Sequence, residues 1–342
     1  MRDFLWVALT AGPIVFALTA VVRRLMPRIG AVDMPNERSS HVAPTPRGGG
    51  IAVLIGLGTS FFIFGGAGDR VLVCALVAAV AVAAVGLADD VKHLSILPRL
   101  IVHLTVAIVT IWIGDLVLRR IELPFVTVGL DGLALPFTVF FVVGWINAYN
   151  FMDGVNGIAA VQAIIGGTAL AALLWRSGDS AGAMTAMALA GACAGFLPWN
   201  FPVGRIFMGD VGSGPIGFLF SILILRASPK VGVVAAALPL FPFLFDSSVT
   251  MVWRAARGEK FFTPHRKHFY QQLAQLSGSH VVSTVVWGSL AVISSAAALA
   301  YPNINDVGAA WVLTSVLVIH TCAAIAIGWR FRRLRPGADG LT

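Results

Sequence analysis

Residues 70–92 read RVLVCALVAAVAVAAVGLADDVK, and the eighteen residues from 71 to 88 pass without a charge before Asp89 and Asp90. A bilayer span needs about 20 mostly apolar residues, so this stretch reads as a membrane helix that ends in two adjacent acids. Ten further runs of the same kind lie on either side. Together the eleven cover approximately 4–22, 50–66, 71–88, 100–118, 134–152, 157–175, 181–198, 212–226, 231–252, 281–300 and 309–328. The expected fold is therefore an all-α polytopic integral membrane protein of about eleven transmembrane helices, one domain over residues 1–342.

Composition agrees. Of 342 residues, 58% are apolar and 12% charged, against roughly a quarter charged in a soluble domain. This excludes a soluble enzyme, a disordered chain and a nucleic-acid-binding domain, despite a net charge of +8. In a membrane protein, excess Lys and Arg mark the cytoplasmic side. Cys74, Cys193 and Cys322 all fall inside apolar runs, so neither a disulfide framework nor a thiolate metal site is expected. The first run ends in Arg23-Arg24 with no small-residue cleavage site, so it reads as a retained span. The run 212–226 is short. Pro239 and Pro242 predict a break within 231–252, and the alternation from Ile121 to Val128 predicts a small hairpin.

Eleven spans put the termini on opposite sides. With the amino terminus outside, seventeen of the 24 basic residues fall on inner segments, Arg38, Lys260 and Arg335 among them. This predicts N-out, C-in. The two long inner segments are then about 23–49 and 253–280.

Five polar clusters all fall on that inner face: PTPRGGG (Pro44–Gly50), GLADDVKH (Gly86–His93), NAYNFMDGVNG (Asn147–Gly157), RIFMGDVGSG (Arg205–Gly214) and PHRKHFYQ (Pro264–Gln271). Asp89 and Asp90 sit at a helix carboxyl end, where the dipole and mutual repulsion disfavour them and a cation would relieve both. Lys92 and Arg99 offer a simpler neutralisation. Asn147, Asn150 and Asp153 are spaced by three and share one face if the helix continues through them. Asp210 precedes a helix, either as a cap or beside glycines that bare amides for an anion. Phe207 offers a flat face to a base. Arg47 followed by Gly48-Gly49-Gly50 repeats the pattern of a basic residue and bare backbone. His265, Arg266 and His268 form a basic group suited to phosphate or to a lipid surface. His103 and His320 read as buried, satisfied imidazoles. Asp246 reads as functional by its place in a span or as a partner of Arg254. Carboxylates beside phosphate cradles imply Mg2+, a hard oxygen-seeking ion. A chain that is almost all membrane implies a lipid substrate, with a soluble phosphorylated partner arriving from the cytoplasm.

NAYNFMDGVNG, IFMGDVGSG, GLADD and the opening PNERSSHVAPTPRGGG together resemble the polyprenyl-phosphate N-acetylhexosamine-1-phosphate transferases. The resemblance runs from about residue 30 to 270 and includes the topology. It implies Mg2+-dependent transfer (with Mn2+ a substitute) of a sugar 1-phosphate from a UDP-N-acetylhexosamine to undecaprenyl phosphate, at the cytoplasmic face of the bacterial inner membrane. It implies Asp210 and Asp90 toward the metal, and Asp89, Asp90 and Asp153 as catalytic acids. It further implies Phe207 stacking on uracil, with Arg47, Asn147, Asn150, Asn156, Arg205, His265, Arg266 and His268 toward substrate. Where the related phospho-MurNAc-pentapeptide translocase carries a second Asp and a run of three histidines, this chain has Asn156 and His265-Arg266-Lys267-His268. That favours the O-antigen-initiating subgroup over peptidoglycan synthesis. A homodimer is compatible with the sequence. A secondary transporter, the rival of another class, would place its ionisable residues near the midplane and show paired repeats, and neither is seen.

Overall fold

The computed structural model describes residues 2–35, 43–259 and 265–334. Arg38, Lys260, Pro264 and Arg335 lie outside them, as does the 36–42 part of PNERSSHVAPTPRGGG. The described chain is a helical bundle with two minute sheets. In order it runs α1 (Arg2–Leu25), β1 (Val32–Asp33), β2 (Thr45–Pro46), α2 (Gly50–Ile63), α3 (Arg70–Lys92) and α4 (Ile96–Gly114). Then come β3 (Arg120–Leu123), β4 (Val126–Gly129), α5 (Ala134–Phe151), α6 (Ile158–Arg176), α7 (Ser180–Asn200) and α8 (Asp210–Val231). It closes with α9 (Val233–Ala237), α10 (Phe241–Ala256), α11 (Phe269–Ser277), α12 (His280–Ala300) and α13 (Asp306–Leu334).

Ten helical segments among the described residues are long and apolar enough to cross a bilayer, where the sequence suggests about eleven. The difference is α2. Its run of about seventeen residues yields a 14-residue helix, about 21 Å long at 1.5 Å per residue, short of a bilayer core of about 30 Å. It nevertheless traverses the bundle. Gly50 lies against Gly212, while Phe61 and Phe64, at the other end, line a small cavity with Val7, Ala181 and Met184. The run 212–226, short in sequence, belongs to a 22-residue helix, because the polar GDVG segment is already helical from Asp210. The prolines break 231–252 as expected: α9 passes through a 3-10 turn at Leu238–Leu240 into α10. The hairpin also forms, with Ile121 opposite Val128. The three cysteines are free.

Helix α8 is the innermost, with every residue from Val211 to Leu225 buried. It packs chiefly on α3 and α5. At the end remote from Asp210, Arg226 binds two helix-capping acids at once. Its Nε and Nη2 donate to Asp179 at 2.7 and 2.8 Å, and Nη2 also reaches Asp69 at 2.9 Å. Asp69 caps α3 and Asp179 caps α7, so one guanidinium holds three helices in longitudinal register.

Membrane helices approach closely through small residues because lipid supplies no hydrophobic drive for their association. A Cβ at Gly195 would collide with the main chain of Gly12, which is how α7 lies flush on α1. Gly195→Ala should therefore destabilise the bundle by about 1–3 kcal/mol, the usual range for overpacking, lowering the thermal unfolding midpoint of detergent-purified protein.

Candidate active site

Helices α3 and α5 end, and α8 begins, at the same end of the bundle. The carboxyl end of α3 repels acids, but the amino end of α8 attracts them, and α3 delivers Asp90 to it. Val211 N donates to Asp90 Oδ2 at 3.2 Å, so this buried carboxylate supplies from another helix the cap that Gly209 cannot. Gly209 has φ +75°, and a Cβ there would meet Asp90 Oδ2; only glycine fits both demands. Asp210 is thus the first residue of α8 rather than its cap. Its Oδ1 accepts from Asn150 Nδ2 at 2.8 Å, and the same Nδ2 lies 2.9 Å from Ser213 Oγ. Arg99 Nη1, from the first turn of α4, lies 2.6 Å from Asp89 Oδ2 and 3.6 Å from Asp210 Oδ2. The neutralisation of Asp89 by Arg99 is therefore real, and it extends to Asp210.

Arg47 and Phe207 meet through a parallel bridge. Phe207 N donates to Pro46 O at 2.9 Å, and Gly49 N and Gly50 N donate to the carbonyls of Phe207 and Met208, each at 2.9 Å. Two of the glycine amides expected to cradle an anion are therefore spent on protein. The physical need for glycine here is proximity: a Cβ on Gly50 would run into the backbone of Gly212. Arg47 itself reaches inward, with Nη2 at 2.7 Å from Asp33 and Nη1 at 3.8 Å from Asp90 Oδ1.

Asp153 does not share a helical face with Asn147 and Asn150, because α5 stops at Phe151. It lies in the 152–157 loop, tethered by Asp153 N donating to Asn150 O at 3.2 Å. Asn147 turns along its own helix to donate to Val143 O. Asp153 opens partly to solvent, yet burial pushes its carboxyl well above the ordinary range. Asp210 and Asp90 push it further up, opposed by Arg47. Asn156 is framework: its Nδ2 donates to Pro202 O, its N to His280 Nδ1, and its carbonyl accepts from Thr284. The adjoining Gly157 N donates to Asn200 Oδ1 at 2.6 Å, while Asn200 Nδ2 donates to Ile206 O at 3.0 Å. One buried amide thus joins the Asp153 loop to the segment carrying Phe207 and Asp210. Arg205 is exposed.

The basic group after α10 is reached through α11, whose Tyr270 hydroxyl donates to Phe151 O at 2.9 Å. His268 is 2% exposed, and its Nδ1 lies 3.2 Å from Asp246 Oδ1. Asp246 also accepts from Phe269 N and Tyr270 N, each at 3.0 Å. His268 and Asp246 therefore hold the start of α11 in place, whereas the sequence suggested substrate contact for the first and, for the second, either a functional role or a link to Arg254. Arg254 instead binds Glu259 at 3.0 Å. Burial and the charges of His268 and Arg254 push His265 down to about 4, which disfavours its charged form. Arg266 remains partly open as the charged member. His320 is buried with Nδ1 2.8 Å from Val316 O and Nε2 without a hydrogen-bond partner among the described residues; His103 is half-buried.

Arg99, Asn200, Ser213 and Asp33 were not singled out as site residues by sequence. For Arg99 a signal existed: a basic residue ten positions after Asp89, across the His93–Ser95 turn, is placed by a helical hairpin beside the preceding helix end. For Asn200 there was none, since its two partners come from loops 43 residues before and 6 residues after it.

The profile of glycosyl transferase family 4 matches residues 72–228, which span Asp89, Asp90, Asp153 and Asp210 and stop short of the His265 group. The chain is 31% identical to the decaprenyl-phosphate N-acetylglucosaminephosphotransferase of Mycobacterium tuberculosis (strain H37Rv), over 99% of this chain and 91% of that protein. It is 30% identical to the probable undecaprenyl-phosphate N-acetylglucosaminyl 1-phosphate transferase of Bacillus subtilis, over 83% and 81%. The undecaprenyl-phosphate alpha-N-acetylglucosaminyl 1-phosphate transferase of Salmonella typhi is also 30% identical, over 73% and 71%. The chain belongs to glycosyl transferase family 4.

The donors of this family 4 site are hard oxygens: the carboxylates of Asp89, Asp90 and Asp210. Asp90 Oδ1 is buried and accepts no hydrogen bond among the described residues, an expensive condition for a carboxylate unless a cation completes it. No group of three or more His, Cys, Asp or Glu converges as a closed metal cage among the described residues. An open set of one or two carboxylates suits Mg2+, which keeps waters and shares its shell with substrate phosphates.

Asn200→Asp should be more harmful than its size suggests. The carboxylate still accepts from Gly157 N, but it cannot donate to Ile206 O, leaving an acceptor facing an acceptor. A loss of about 1–3 kcal/mol is expected, read as a lower thermal midpoint. The Asp153 carboxyl contributes stability in its neutral form. That contribution is complete below the ordinary carboxylate value of about 4 and is lost as pH rises through the elevated folded value. Asp153→Asn should accordingly flatten the fall in thermal midpoint that sets in as pH rises above about 4.

Proposed function

We propose that this family 4 protein transfers N-acetylhexosamine 1-phosphate from a UDP-sugar to undecaprenyl phosphate, giving the lipid diphosphate sugar and UMP. The observation that carries the reading is the convergence of Asp89, Asp90, Asp210 and Asn150 with Arg47 and Phe207 at one end of a membrane bundle. The relatives are named for N-acetylglucosamine phosphate transfer to decaprenyl or undecaprenyl phosphate. The balance is simple. An oxygen of the lipid phosphate attacks the sugar-bearing phosphorus, a new P–O–P bond forms, and the bond to UMP breaks.

In this reading the acid centre lies at the cytoplasmic face of a bacterial inner membrane, N-out and C-in, as the basic residues suggest. Phe207 stacks on the uracil, and the Asp153 loop and Arg266 border the donor. Asp210 and Asp90 would hold Mg2+, which would supply charge neutralisation to the phosphates. Arg47 neutralises charge on the phosphate side while anchored to Asp33. Asp89 orients the acceptor rather than removing its proton: a phosphate monoester has its second pKa near 6 and is largely dianionic at neutral pH. Rate enhancement then comes from alignment and charge neutralisation. The product would begin a cell-surface polysaccharide such as O-antigen; Asn156 and the mixed His-Arg-Lys-His group speak against the peptidoglycan translocase.

The test is incubation of purified protein with undecaprenyl phosphate and a panel of UDP-N-acetylhexosamines, following UMP. Release should require Mg2+ or Mn2+ and cease in EDTA. Asp210→Asn should reduce it by at least about 100-fold, the scale of losing a charge-stabilising group, with the folded protein still recovered. UMP release undiminished in EDTA would refute the metal assignment.

A further inference from the structure

Arg99 stands where helix electrostatics disfavour it. It is the fourth residue of α4, within the first turn, where the partial positive charge of the helix amino end repels a cation. What offsets this is the acid centre. A single nitrogen, Nη1, serves Asp89 Oδ2 and Asp210 Oδ2. The guanidinium is not sealed in, since its side chain and that of Asp210 are each 32% exposed. Several of the other groups around it are engaged by the protein. Asp210 Oδ1 is held by Asn150, Asp90 Oδ2 by Val211 N, and Arg47 by Asp33. Thus Asp210 Oδ2 is an oxygen whose partner can change without disturbing the scaffold, and Arg99 is the partner that can leave.

We propose that Arg99 is the resident counter-cation of the acid centre. It holds Asp89 beside Asp210 while no divalent ion is bound, and it yields Asp210 Oδ2 when the ion arrives, keeping its shorter contact to Asp89. This rests on the metal-dependent reading above and adds to it a positioning residue that competes with the metal. A plain surface ion pair would contribute little and would be indifferent to the ion.

The test measures metal affinity and stability without turnover. Purified wild type, Arg99→Gln and Arg99→Lys are titrated with Mn2+ alone, followed by electron paramagnetic resonance, and their thermal midpoints are compared in EDTA and in saturating Mn2+. Arg99→Gln should bind Mn2+ about three- to tenfold more tightly, a partly exposed charge having been removed beside a divalent ion. Its midpoint should fall below wild type in EDTA and rejoin it in Mn2+. Arg99→Lys, which keeps the charge, should bind Mn2+ like wild type. Equal Mn2+ affinity in wild type and Arg99→Gln, or a midpoint deficit that Mn2+ leaves in place, overturns the counter-cation role and leaves the proposed reaction standing. If Arg99→Gln folds only with Mn2+ present, the role is supported; if it fails to fold with or without Mn2+, the ion cannot replace Arg99 and the role is overturned. If wild type binds no Mn2+ and releases UMP in EDTA, the metal-dependent reading falls and the inference with it.

Discussion

Everything at the polar end of the bundle depends on Asp90 reaching the first turn of α8. An acid at the carboxyl end of α3 is unfavourable by itself, and a buried one is worse. The same carboxylate placed on the bare amide of Val211 satisfies a helix start that its own sequence, with Gly209 before Asp210, leaves uncapped. The two helix ends thus correct each other. The contact is possible only because Gly86, Gly50 and Gly212 let main chains approach where any side chain would intervene.

From that contact the rest of the centre follows. Once α3 and α8 are joined there, Asp89 and Asp210 become neighbours, and their repulsion calls for cations. Arg99 and Arg47 answer from two other segments. Arg47 is itself placed by the main-chain bridge to Phe207, so charge and aromatic surface are brought together by one backbone exchange. At the far end, Arg226 ties α8, α3 and α7 through Asp69 and Asp179. The helix carrying Asp210 is therefore restrained at both ends while its middle is packed on all sides. Such a frame suits chemistry done by alignment, since a site on rigid helices holds its geometry better than one on loops.

Much of this was legible beforehand, and the misreadings share a cause. The spans, the break at Pro239 and Pro242 and the Ile121–Val128 hairpin depend on local preference, which neighbours in sequence determine. Asp89, Asp90, Asp153 and Asp210 stood out because acids are costly in an apolar chain. Gly48–Gly50 read as an anion cradle because glycine signals both bare backbone and close helix contact, and only the crossing partner tells which applies. His268 looked like a surface cation beside Arg266, yet it faces inward to Asp246, because the start of α11 needs a carboxylate and α10 supplies one. Asn147, Asn150 and Asp153 kept helical spacing in sequence, but α5 ended two residues before Asp153.

Hydropathy and charge alone settled that the chain is a helical membrane protein with its acids gathered beside basic segments, since cost in an apolar solvent depends on residue type and run length. They could not say which acid meets which helix end, which guanidinium neutralises which carboxylate, or that Asn200 joins two loops. Those pairings are contacts between residues far apart in the chain. They exist only once the helices have chosen their neighbours, and that choice is made by the fit of small residues along whole faces.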